Sequence, residues 1–254
     1  MSRAGNMMRQ IQSPNGFFGL DVALGKIPGY SPWTKFGYNS AVGTTRETIW
    51  ALGSDYEWPA AAASMTVSSK SAADVASNSG ASVISIMGLD NNWAIATEEI
   101  TMDGVTGVWT ENQYIRMLRA TNESTGQDIL DQISVGTGAI TAGVPAKVYT
   151  AVFPDDGQTE QSITSIPAGH IGILLGYYYG AGKSANTAIV ELFVRKFGKR
   201  FVNKEHLPVK EAAGYMQFPV PRIYPEKTDL ECKGTATGGS LDIAMGLDMI
   251  LCKV

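Results

Sequence analysis

From Leu241 to Leu251 every second residue is large and apolar: Leu241, Ile243, Met245, Leu247, Met249 and Leu251 share one parity, with Asp242, Ala244, Gly246 and Asp248 opposite. A period of two predicts a β-strand with one face in a core and the other exposed or close to another chain. The same signal, shorter and punctuated by Gly, Asn, Asp or Ser, recurs along the chain. Strands are expected at Met65 to Ser69, Val83 to Met87, Trp93 to Met102, Val105 to Thr110, Tyr114 to Ala120, Ile129 to Val135 and Lys147 to Phe153. A second series covers Ile163 to Ile166, Ile171 to Tyr179, Thr187 to Phe197, Phe201 to Leu207, Gln217 to Ile223 and Asp229 to Lys233. Gly88 to Asn92 and Asp103-Gly104 supply turn residues around the Trp93 strand. That strand changes parity, with Trp93 and Ile95 on one phase and Ile100 and Met102 on the other, which predicts a bulge near Thr97 to Glu99.

Many short strands with regular turn signals point to an all-β fold: antiparallel β-sandwiches of jelly-roll or Greek-key type. At 254 residues the chain is long enough for two of them. The Pro154-Asp155-Asp156-Gly157-Gln158 turn is the expected boundary, giving a first sandwich over residues 41–153 and a second over 154–254. Residues 1–40 lack a sustained apolar period and are rich in Gly, Pro and Asn, yet carry Phe17, Phe18, Trp33, Phe36 and Tyr38. Flexible tails are poor in aromatics. This segment is therefore expected to be an extended arm, a strap packed on its own body or on a neighbouring subunit.

Composition narrows the function. Charged residues make up 17% of the chain, with 28 glycines, and the formal net charge is −4, so there is no global basic field for nucleic acid. Cys232 and Cys252 are the only cysteines and fit two buried free thiols better than a disulfide framework. No secretory signal pattern and no membrane-length apolar run is evident, so folding in a cytoplasm is expected.

Candidate chemistry is sparse. Gly180-Ala181-Gly182-Lys183-Ser184 resembles the end of a phosphate loop, but the motif requires glycine where Tyr177 stands, and a strand rather than a helix follows. His170 and His206 have no acid, serine or metal-ligand pattern around them. Glu98-Glu99 on a strand point to opposite faces. The one basic cluster, Arg195-Lys196-Phe197-Gly198-Lys199-Arg200, reads as a solvated turn whose phenylalanines enter the core. Trp93, Trp109 and Tyr178 are candidates for sugar stacking. No enzyme, cofactor or metal site is expected.

Several segments carry a resemblance. Lys35-Phe36-Gly37-Tyr38-Asn39, Glu47-Thr48-Ile49-Trp50, Met65 to Ser69 and Gly88-Leu89-Asp90 resemble structural proteins of tailed bacteriophages, marine and cyanobacterial ones in particular. So do Ile133 to Gly138, Ile166-Pro167-Ala168-Gly169 and Pro225-Glu226-Lys227-Thr228-Asp229-Leu230-Glu231. The resemblance implies a virion building block assembled in a host bacterial cytoplasm: a capsid decoration or cement protein that binds the major capsid protein and itself, as a homotrimer, with no membrane or specific nucleic-acid partner. Phe17, Phe18, Trp33 and Phe36 would be the anchoring strap. The alternatives are a neck or tail component (adaptor, nozzle or fibre base) and a carbohydrate-binding sandwich for host attachment.

Overall fold

The computed structural model describes residues 16–182 and 186–254. Among them are a short helix, α1 (Phe18–Ala23), and fifteen strands in three antiparallel sheets. The first sheet runs in the order β1 (Tyr30–Val42), β15 (Leu241–Lys253), β10 (His170–Ala181) and β13 (Ala213–Tyr224). The second runs β12 (Val202–Val209), β11 (Ala188–Arg195), β14 (Asp229–Ala236) and β2 (Glu47–Thr48), with β9 (Ile163–Ser165) also on β14. The third has six strands: β5 (Ile95–Thr101), β4 (Val83–Asp90), β6 (Val108–Asn122), β3 (Ala63–Ser69), β7 (Ile133–Thr141) and β8 (Val144–Val152).

The first two sheets form a sandwich. The alternating apolar row of β15 packs against Val190, Leu192, Val194, Leu230, Cys232 and Ala236 of the second sheet. The all-β antiparallel sandwich expected from the periodicity is the fold that forms. The third sheet wraps a second core of Met65, Val67, Ile84, Ile86, Tyr114 and Ile133, closed from outside by Trp50 and Tyr56. Its other face presents Leu89, Ile115 and Leu118 to the sandwich core. Both cysteines are buried and free, and burial pushes the Cys232 thiol up to about 12.

Pairing crosses the expected segment boundaries. β1, which falls in the expected arm, is an edge strand hydrogen-bonded along β15 from Tyr30↔Cys252 to Asn39↔Ile243. Val105 to Thr110 and Tyr114 to Ala120, expected as two strands, are mostly one continuous strand, β6. The first fifteen residues of the arm lie outside the described residues, as do Lys183 and Ser184 of the glycine-rich turn.

The turn around Trp93 differs from expectation. β4 and β5 pair without a shift from Val83↔Thr101 to Leu89↔Ile95, so there is no bulge between Thr97 and Glu99. The parity change has another cause: Trp93 sits outside the strand at φ 64°, while Ile95 is solvent-exposed. Gly88 and Leu89 belong to β4 rather than to the turn. A Cβ at Gly88 would run into the Arg116 carbonyl oxygen and the Tyr114 ring, so this glycine serves a close backbone approach.

Candidate functional site

Alternation along β11 and β14 sends half their side chains into the sandwich and half outward, toward the third sheet and the loop of residues 43–60. The outward positions carry Glu191, Phe193 and Arg195 on β11, opposite Lys233, Glu231 and Asp229 on β14. Three of these are carboxylates at most 2% exposed. Buried carboxylates require charged or hydrogen-bonded partners, and each has them.

Asp229 is the centre of the group. Arg116, a buried residue of β6, donates from Nε to Oδ1 at 2.8 Å and from Nη2 to Oδ2 at 3.0 Å. Arg195 donates to Oδ2 from Nε at 2.9 Å and Nη2 at 2.7 Å. Ser165 Oγ adds a bond to Oδ1 at 2.5 Å. Arg116 Nη1 is satisfied by the carbonyls of Pro59 and Ile115. One carboxylate thus ties β6 of the third sheet to β9, β11 and β14 of the sandwich.

Aromatic rings complete the arrangement. The Arg195 guanidinium lies 4.4 Å from the Phe201 ring and 5.1 Å from Trp58; Arg116 lies 5.0 Å from Trp58 and 4.5 Å from Trp93. The order Phe201, Arg195, Trp58, Arg116, Trp93 is an alternating stack of rings and cations crossing the junction. Phe197 meets Trp93 edge-on at 5.7 Å and 90°. Contacts of this kind contribute about 0.5–2 kcal/mol each, more when desolvated. A cleft of about 520 Å³ opens over the stack, with Trp58, Trp93, Arg116, Arg195, Phe197 and Asp229 in its walls.

The expectation that both phenylalanines of the basic turn enter the core is corrected: Phe197 is 62% exposed and Phe201 half-buried, because the pair caps a polar junction rather than the sandwich interior. The other buried carboxylates are held similarly. Glu231 accepts from Thr48 Oγ1 at 2.6 Å and Trp58 Nε1 at 3.1 Å. Glu191 accepts from Arg46 Nε at 2.6 Å and Asn203 Nδ2 at 2.6 Å and lies 3.0 Å from His206 Nδ1, so His206 has a structural partner that its sequence neighbourhood does not indicate.

A second junction feature is Lys35 on β1, whose buried ammonium donates to the Leu118 carbonyl beside Arg119. Burial, with help from the Arg119 charge, lowers its pKa to about 7. A cavity of about 190 Å³ beside it is lined by Trp33, Met87 and Arg119.

The strap residues divide. Trp33 is buried and donates from Nε1 to Thr164 Oγ1 at 2.7 Å, inside its own chain's core. Phe36 is half-buried on β1. Phe18 packs edge-on against Tyr30 at 5.4 Å, and Phe17 is 67% exposed. The sugar-stacking candidates do not assemble: Trp93 is in the junction stack, Trp109 is exposed on the third sheet and Tyr178 lies on the first. His170 Nδ1 is 2.9 Å from the Ala168 carbonyl. Glu98 accepts from Tyr114 Oη and the Glu111 amide, both at 2.9 Å. Among the described residues no group of three or more His, Cys, Asp or Glu is placed to hold a metal ion.

Sequence reasoning missed the outer edge of the first sheet. Between Leu174↔Arg222 and Gly176↔Gln217, four residues of β13, Phe218-Pro219-Val220-Pro221, stand opposite Leu175 alone. This wide bulge leaves Val220 80% exposed, with Tyr215, Met216 and Ile223 also exposed along the strand. The two prolines were the available signal, since proline in a strand marks an edge or a bulge.

No family model and no curated protein matches the chain. Two solved structures are similar in outline, both of infectious bursal disease virus. The Gt-strain structure has a TM-score of 0.25 and 9% identity, covering 93% of this chain and 78% of that chain. The Gx-strain structure has a TM-score of 0.23 and 9% identity, covering 88% and 71%.

Proposed function

We propose that the chain is a structural protein of a virion that works by binding rather than catalysis, as a capsid decoration or cement protein seated on the major capsid protein. The observation that carries this reading is the β13 edge. Val220, Ile223, Tyr215 and Met216 expose apolar side chains on one edge strand. Exposed apolar edges are liabilities unless a partner covers them. Pro219 and Pro221 remove two backbone donors there, so the edge is suited to side-chain contact rather than to adding another strand.

The junction supports the same reading. Its buried carboxylates are saturated by arginine, serine, threonine and tryptophan donors, which suits a rigid joint between the two halves. The segments resembling phage structural proteins meet there: Thr48 of one bonds Glu231 of another, and a Cβ at Gly37 would strike the Ile49 carbonyl. A protein that stiffens a shell needs such a joint and an outward apolar edge.

The test is rebinding. Particles freed of this protein are incubated with the purified chain, and bound protein and heat resistance are measured. Saturable binding with raised heat resistance, lost in Val220→Asp and Ile223→Asp, is the expected result. Absence of binding by the unaltered chain would refute the reading.

A further inference from the structure

The turn between β11 and β12 holds a second cavity, of about 340 Å³, whose floor is Val194, Val202 and Tyr224. Its rim is Lys196, Lys199, Arg200 and Lys204. None of these four cations makes an ion pair among the described residues. An apolar floor within a ring of unpaired cations suits an anionic chain segment with apolar surface of its own.

The protein carries such a segment. The loop after β8 presents Asp155 and Asp156 at its exposed tip, with Phe153 and Pro154 half-exposed beside them. Partial burial raises the pKa of Asp156 and of Glu160, and like charge within the loop adds to it, from Asp155 on Asp156 and from Asp156 on Glu160. These three carboxylates also lack an ion pair among the described residues.

The two features cannot neutralise one another within one molecule. The basic turn is anchored beside Trp93, which follows the Asp90 end of β4. The acidic loop is anchored at the other end, where Asn122, paired with Ile84, donates its amide to the Gly157 carbonyl at 2.8 Å. Ile84 and Asp90 are six residue steps apart along β4, roughly 20 Å at about 3.3 Å per step. That exceeds the screening length of about 8 Å at physiological salt.

We propose that the cation-rimmed cavity at the β11–β12 turn is the docking site for the acidic Asp155–Asp156 loop of a second copy of this chain. The contact is head-to-tail: each copy offers a socket at one end and a plug at the other. Contacts of this kind close into a ring when the rotation permits. The inference rests on the binding role proposed above, for which it supplies the self-contact.

Sedimentation velocity on three forms of the full chain tests it: unaltered, Lys199→Glu with Arg200→Glu, and Asp155→Lys with Asp156→Lys. The unaltered chain should associate at low salt and dissociate at high salt, while each variant alone should remain monomeric. An equimolar mixture of the variants brings one intact socket to one intact plug and should restore association. The mixture also shows that both variants are folded. A monomeric unaltered chain at low salt, or association of either variant as strong as that of the unaltered chain, would overturn the proposal. Particle rebinding by a chain that stays monomeric would overturn the self-contact while leaving the capsid-binding role intact.

Discussion

Arg116 and Asp229 are 113 residues apart in sequence, and their side chains form a bidentate pair at 2.8 and 3.0 Å in the buried junction between the third sheet and the sandwich. Removing one partner of a buried pair leaves the other charge uncompensated, at about 3–5 kcal/mol. Asp229→Asn should therefore lower unfolding stability by that amount in urea titration. Arg195→Gln, at the more exposed position, should cost less. A loss below about 1 kcal/mol for Asp229→Asn would mean that the junction does not hold the halves together.

Lys35 gives stability a pH dependence of defined sign. Its pKa falls from the ordinary 10.5 to about 7 in the folded chain, because its ammonium is buried and lies beside the Arg119 charge. Between those values the unfolded chain holds a proton that the folded chain lacks, so stability rises with pH. The penalty is fully present below pH 7 and relieved as pH climbs toward 10.5. Denaturant titrations from pH 7 to about 9.5 should show stability rising in the unaltered chain and a flatter profile in Lys35→Met. Parallel profiles would contradict this assignment.

Trp33 and Phe17, both expected in the anchoring strap, should separate in experiment. Trp33→Ala removes a buried ring and its bond to Thr164, and should cost about 3–5 kcal/mol. Phe17→Ala removes a ring that is 67% exposed and should change stability by no more than about 0.5 kcal/mol. Thermal unfolding of the two variants checks both values.

Gly88→Ala tests the close approach in β4. The added methyl meets the Arg116 carbonyl and the Tyr114 ring, so strands β4 and β6 must part. A cost of about 1–3 kcal/mol is expected from such overpacking, measured as a lowered denaturation midpoint. An unchanged midpoint would contradict the close approach.

The architecture was legible wherever one face of a strand is buried and the other is not, as in β15, because alternation then encodes burial directly. It failed at Trp93, where a left-handed residue outside the strand mimicked a bulge, since periodicity does not report φ. The junction was hidden for a different reason: its partners lie far apart in the chain and meet only through tertiary packing. A clue was present, since Arg116 stands between the apolar Ile115 and Met117, and Asp229 and Glu231 flank Leu230. Charges on alternating positions of such strands mark buried pairs, but nothing local names the partner. The β13 bulge likewise left only its two prolines as a trace.

Counting the copies of this chain in purified particles by quantitative mass spectrometry would decide whether it is a building block of a virion shell. A decoration role predicts an abundance approaching that of the major capsid protein. Absence of the chain from purified particles would rule out a virion role, and a handful of copies per particle would rule out the decoration role.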